Sequence, residues 1–207
     1  LQTGTVYIAA SEVALRCLLL PVLKQYRLLY PGVHIRISNH STPQAIAALK
    51  DGAADIAVVT TPTVHSASLA ETVIRPIQEV AVCSSAFPEL TDRPVALSEL
   101  LDYPIISLGP DTKSFAFYSD FFTSHSLPFH PAIEAFTADQ ILPMVEADLG
   151  VGFVPNEFLT PESHACRIAR KEQIPERQVV LIKRKGQPLS VAARKLEHMI
   201  LDEKSGA

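Results

Sequence analysis

Hydroxyl side chains recur at four points where an apolar, strand-like run gives way to a helix-like one: Ser11, Ser41-Thr42, Thr112-Lys113-Ser114 and Thr137. A Ser or Thr at such a junction accepts a hydrogen bond from a first-turn backbone N–H. The helix start also offers unpaired N–H groups and the positive end of the helix dipole. Hydroxyls and amides in this combination can hold a small anion or polar metabolite. In an open α/β sheet the carboxyl ends of parallel strands share one edge, where ligand crevices form. Each residue alone is an ordinary helix cap, so the signal lies in the recurrence. Lys113 adds a positive charge and His40 a candidate donor beside Ser41. Glu12 suits the helix start but repels an anion placed close to it.

Other chemistries lack their patterns. The seven histidines show no H-E-x-x-H spacing, and Cys17, Cys83 and Cys166 form no C-x-x-C, so no metal site is expected. The sequence contains no G-x-x-x-x-G-K-[ST] phosphate loop and no G-x-S-x-G nucleophile elbow. Gly150-Val151-Gly152 follows a helix-like run and precedes a strand-like one, the reverse of a dinucleotide fingerprint, and is expected to be a helix stop with a tight turn. The scattered cysteines are expected to be reduced, inert thiols.

The elements that must carry these turns follow from hydrophobic spacing. Residues 5–10, 33–37 and 55–59 have strand character, separated by helical spacing over 12–30 and a helix opened by Ser41, with Gln44 at capping-box distance. Pro21 is expected to bend the first helix or to mark where its regular part begins. This β-α-β-α-β order predicts a parallel sheet. The grammar then repeats, with strands over 77–83, 104–108 and 132–136, a helix over 115–125, and a second capping-box spacing from Thr137 to Gln140. A helix carrying Ile141, Met144, Val145 and Leu149 precedes a strand ending at Pro155; a strand over 179–182 and a helix over 190–201 complete the pattern. Residues 202–207 are expected to fray. Two β/α lobes result, 1–74 with 180–207 and 75–179, with crossovers near 73–78 and 175–180.

With 207 residues the chain can bury about 70% of its unfolded surface. Its 47% hydrophobic and 19% charged content excludes global disorder. A net charge of −4, with no basic cluster larger than Lys183-Arg184-Lys185, argues against a nucleic-acid surface on this piece. No apolar run approaches the ~20 residues of a membrane span. The chain opens on Leu1 with no signal-peptide pattern, and the expectation is an excised or processed fragment preceded by further sequence.

Four stretches together resemble the effector-binding domain of LysR-type transcriptional regulators. Gly4-Thr5-Val6-Tyr7-Ile8-Ala9-Ala10-Ser11 is similar to that family's first regulatory strand and ligand-facing turn. Leu19-Leu20-Pro21 with Tyr30-Pro31-Gly32-Val33 is similar to its L-L-P and Y-P-x-V signature. The segment Leu-Lys-Asp-Gly-Ala-Ala-Asp-Ile-Ala-Val over 49–58 is similar to L-x-x-G-x-x-D-x-A-I, and residues 146–155 to V-A-A-G-L-G-I-A-L-L-P.

The resemblance implies an α/β fold of two Rossmann-like lobes joined by two crossover strands, of the type II periplasmic-binding-protein kind. It implies a small polar or anionic effector in the interlobe cleft, with Ser11, Glu12, His40, Ser41, Thr42, Thr112, Ser114 and Thr137 as binding residues and Val154 and Pro155 on the wall. It further implies no enzymatic activity and no cofactor, a cytoplasmic homodimer or tetramer, and DNA contact only through an N-terminal winged helix-turn-helix outside this chain. In that setting the helix over 18–30 is a candidate subunit surface. A transporter's solute-binding protein shares the fold and is the alternative; an enzyme resembling prephenate dehydratase is a further rival, but its Thr-Arg-Phe motif is not found.

Overall fold

The structure, a computed structural model, describes residues 3–205. The opening Leu1 and the end of the expected frayed tail, Gly206 and Ala207, lie outside the described residues. Two compact units form, one from Leu1–Pro76 with Arg177–Ala207 and one from Ile77–Glu176.

In the first unit β1 (Gly4–Ala10) leads through α1 (Glu12–Ala14), a π-helical stretch (Leu15–Leu19) and α2 (Leu20–Leu29) to β2 (Val33–Asn39). The single expected helix is therefore widened for five residues just before Pro21. The cause is local: a proline ring collides with the carbonyl four residues back and brings no N–H. Leu20 donates instead to the carbonyl of Leu15, five residues back, and regular α-helix begins at Leu20. α3 (Thr42–Lys50) and β3 (Ile56–Thr60) follow. β1 pairs in parallel with β2 (Ile8 opposite Ile37) and with β3 (Ala10 opposite Val58). β3 is buried along its whole length, as a central strand packed on both faces must be.

Two further strands complete this sheet. β4 (Leu69–Ile77) and, after the second unit, β10 (Arg177–Arg184) give the order β2-β1-β3-β10-β4. The parallel pairing expected of the first three strands is present, but β10 runs antiparallel to β3, with Val180 opposite Val59, so the sheet as a whole is mixed. A β-α-β crossover forces parallel pairing; β10 is reached directly from the other unit at Glu176–Arg177 and has no such crossover before it. The strand expected over 77–83 is β5 (Glu79–Cys83); Ile77 instead ends β4, a separate strand, and Gln78 lies between the two. β4 hides from pattern reading because its burial does not alternate and Pro76 interrupts it; an edge strand tolerates that proline.

The second unit has the sheet order β7-β6-β8-β5-β9, built from β5, β6 (Ile105–Leu108), β7 (Ile133–Ala135), β8 (Val151–Pro155) and β9 (Cys166–Arg167). β6 is parallel to β7 and β8, whereas β5 is antiparallel to β8 and β9. α4 (Lys113–Ser124) joins β6 to the β7 arm, and α5 (Ile141–Glu146) precedes β8. The core here is aromatic: Tyr118, Phe121, Phe122, Phe129 and Phe153 cluster, with Phe122 and Phe129 rings 4.9 Å apart. Such pairs add about 0.5–1.5 kcal/mol each to the burial of their area.

The helix stop and turn expected at Gly150-Val151-Gly152 come earlier: α5 ends at Glu146, the turn runs through Ala147 and Asp148, the latter at φ +63°, and Val151 and Gly152 already belong to β8. Both glycines are instead a packing requirement. A Cβ on Gly150, at φ +151°, would lie 2.1 Å from the Pro104 carbonyl oxygen. One on Gly152 would lie 2.7 Å from Ile141 Cγ2. α6 (Val191–Asp202), capped by Ser190 Oγ accepting from the Ala193 N–H, closes the first unit, and the Tyr26 hydroxyl donates to the Ala192 carbonyl at 2.9 Å. A short 3₁₀ turn, Glu203–Ser205, continues past α6.

Candidate functional site

In the first unit, parallel register sets the ends of β1 and β2 level, Ala10 opposite Asn39. The turns that follow are therefore neighbours. Ser11, in extended conformation, donates its N–H to the Val58 carbonyl and accepts at Oγ from the Ala14 N–H at 3.2 Å. The His40 N–H donates to the Ala10 carbonyl at 2.9 Å. Asn39 Nδ2 donates to Glu12 Oε2 at 3.4 Å, so the Glu12 carboxylate turns toward the end of β2. The Ser41 N–H donates to Gln44 Oε1 at 2.9 Å, the N-terminal half of the expected capping box. Ser11, Glu12, His40, Ser41 and Thr42 thus share one sheet edge, at the carboxyl ends of three parallel strands.

Thr42 is buried, and its hydroxyl donates to the Thr60 carbonyl at the end of β3. Thr60 in turn accepts at Oγ1 from an Arg177 guanidinium N–H at 2.8 Å, while Arg177 Nε donates to the Thr61 carbonyl at 2.8 Å. Arg177 is 2% exposed. Sequence reading missed this anchor because Thr60 and Arg177 lie 117 positions apart.

In the second unit Leu108 is opposite Ala135, so the ends of β6 and β7 are level as well. Thr112 Oγ1 donates to the Gly109 carbonyl at 2.8 Å and accepts from the Phe115 N–H at 3.1 Å, capping α4. Ser114 sits half-buried in the first turn of α4. Thr137 follows β7, but its helix opens with a 3₁₀ turn (Ala138–Gln140) before α5. Its hydroxyl donates to the Asp139 carboxylate, and Gln140 Oε1 accepts from the Phe136 N–H at 2.8 Å and the Thr137 N–H at 3.3 Å. Val154 and Pro155, at the carboxyl end of β8, are buried. Within this unit Thr112, Ser114 and Thr137 therefore follow the ends of β6 and β7, and Val154 and Pro155 form the end of β8, the parallel strand beside β6.

Two residues at this edge escaped the sequence reading. Phe136, beside Thr137, is 89% exposed, and its only sequence signal is an aromatic ring at a turn. Ser107 Oγ is buried in β6 with no hydrogen-bond partner among the described residues, signalled by a hydroxyl inside an apolar strand. Chemically, these edges present neutral hydroxyls and helix-start amides, a donor-rich setting for a small polar or anionic molecule. Among the described residues no group of three or more His, Cys, Asp or Glu is placed to hold a metal ion. No helix among them is long and apolar enough to cross a membrane.

Residues 1–205 match the family model of the LysR substrate binding domain. The chain belongs to that family. Among curated relatives, this LysR substrate-binding domain is 27% identical over 159 residues to the HTH-type transcriptional regulator CysB of Burkholderia cenocepacia, an alignment covering 77% of this chain and 51% of the relative. The chain spans about half the length of the curated relatives it matches. Among solved structures, the regulatory domain of Synechocystis PCC6803 CcmR in complex with 2-PG aligns with a TM-score of 0.85 at 14% identity, covering 96% of each chain. The cofactor-binding domain of the Cbl transcriptional regulator aligns with a TM-score of 0.83 at 19% identity, covering 96% of this chain and 88% of that one. The fold is accordingly the two-lobed α/β fold of LysR substrate-binding domains, with a mixed sheet in each lobe.

Proposed function

We propose that this LysR substrate-binding domain senses one small polar or anionic metabolite at the strand-carboxyl edges that carry Ser11, Glu12, His40, Ser41 and Thr42 in one unit and Thr112, Ser114, Thr137, Val154 and Pro155 in the other. The observation that carries the reading is the family match over nearly the whole chain; the donor-rich helix starts supply its chemistry. The CcmR regulatory domain, whose structure was solved with 2-PG, is a neighbour in fold. The full-length protein would be a transcription factor that contacts DNA through an N-terminal helix-turn-helix outside this chain, as homodimer or tetramer in the cytoplasm. The domain performs no catalysis: ligand favours one arrangement of the regulator through differential affinity. The family match favours this over a transporter's solute-binding protein.

The test is a thermal-shift panel of organic acids, aromatic acids, amino acids and inorganic anions on the purified chain. A specific ligand at 100 times its Kd adds about 2.7 kcal/mol to stability. The expected result is one chemical class that shifts the wild type and shifts Ser11→Ala less. A ligand whose effect survives both Ser11→Ala and Thr137→Val with the fold intact overturns the site. A salt-sensitive, sequence-selective gel shift by the chain alone overturns the assignment of DNA contact to another segment.

A further inference from the structure

We propose that Cys83 and Cys166 form a reversible disulfide across β5 and β9, making the second unit responsive to peroxide. The two residues are direct partners in the antiparallel ladder, with Val82 opposite Arg167 as the next pair. Directly opposed residues project to the same face of a sheet, and both side chains belong to one apolar cluster. The ladder also fixes the class of the pair. The Ile168 N–H donates to the Ala81 carbonyl at 2.9 Å, so Ala81 and Ile168 form a hydrogen-bonded pair, and two residues along Cys83 and Cys166 fall in the same class. Partners of that class stand about 5.5 Å apart at Cα, within the spacing of about 4.4–6.8 Å that a disulfide spans. Opposed Cβ atoms of that class lie toward the long end of about 4.5–5.5 Å, and a disulfide needs about 3.5–4.5 Å, so closing the bond draws the two-residue edge strand β9 toward β5 by about 1 Å.

The two thiols differ in a way that orders the reaction. Cys83 is fully buried at the end of β5, and burial first, then its neighbours Cys166 and Glu89, push its thiol up to about 11. It remains protonated near neutral pH. Cys166 is half-exposed on the edge strand β9 and meets solvent oxidant first. Its thiolate attacks one peroxide oxygen and breaks the O–O bond; the departing oxygen takes a proton and leaves as water, giving a sulfenic acid at Cys166. The Cys83 sulfur then attacks the Cys166 sulfur, the S–O bond breaks, and the oxygen leaves as a second water carrying the Cys83 proton. In sum two thiols and one hydrogen peroxide give one disulfide and two waters. A thiol reductant such as glutathione reverses the bond by exchange. Cys17 lies buried in the other unit and serves as an internal control.

The purified chain, reduced and desalted, is treated with a few equivalents of hydrogen peroxide without denaturant, then alkylated in denaturant and analysed by intact and peptide mass spectrometry. The expected result is a loss of two hydrogens, a fall from three alkylated thiols to one, and a linked peptide pair containing Cys83 and Cys166, all reversed by dithiothreitol. Cys17→Ser behaves as wild type; Cys166→Ser, a change at a half-exposed edge position, retains its circular dichroism and forms no intramolecular bond. Oxidation of Cys166 that stops at sulfenic or sulfinic acid overturns the proposal. So does a bond that forms only in urea, or one that joins two chains or involves Cys17.

Discussion

Hydroxyl groups at helix starts differ in how their protons are used, and that difference separates ligand donors from scaffold. Thr112 donates to Gly109 and accepts from Phe115, so both of its roles are internal. Thr42 donates to Thr60 and Thr137 to Asp139. Ser11 only accepts, from Ala14, and its proton has no acceptor among the described residues. Ser11→Ala should therefore weaken effector binding by about 1 kcal/mol, roughly fivefold, in isothermal titration. Thr112→Val should instead cost about 0.5–2 kcal/mol of stability in urea unfolding through loss of the cap. On the surface of the second unit, the hydrogen bond from Arg93 holds the Glu99 carboxyl at about 2, below its ordinary value of 4.5. A carboxylate depressed on folding stabilises above its unfolded pKa and loses that contribution as pH falls through its folded one. The Tm difference between wild type and Glu99→Gln should then be flat above about pH 5 and shrink between about 4.5 and about 2.

Elements show where sequence legibility ends. The β1–β2–β3 ladder is readable because each strand is followed by a helix that forces the next into parallel register. Strand direction in β5 and β10 is not, because both enter their sheets from the other unit rather than through a helix. The helix-start turns were readable one by one from Ser and Thr before an apolar run; the Arg177 anchor beneath them was not, since no local pattern links residues 60, 61 and 177. Removing that guanidinium leaves Thr61's carbonyl and Thr60's hydroxyl without their charged donor, at about 1.5–3 kcal/mol per bond. Arg177→Met should lower stability by that order in denaturant titration, and Arg177→Lys should recover part of it. Gly152→Ala should cost about 1–3 kcal/mol through overpacking against Ile141 and Val145. Gly150→Ala should cost more, because the obstacle is the Pro104 carbonyl rather than a side chain.

At the level of the whole molecule, the first unit takes strands from both ends of the chain and the second from one continuous stretch, Ile77–Glu176. β10 lies between β3 and β4, so those two strands of the first sheet have no shared neighbour until residues 177–184 are present. Expressed alone, residues 77–176 should give a cooperative thermal transition, whereas residues 1–76 should not; amide hydrogen exchange on each fragment checks both. A ribosome makes the chain in one direction. The second unit is therefore complete while the first still lacks its inner strand and α6, and the first to begin synthesis is the last to close.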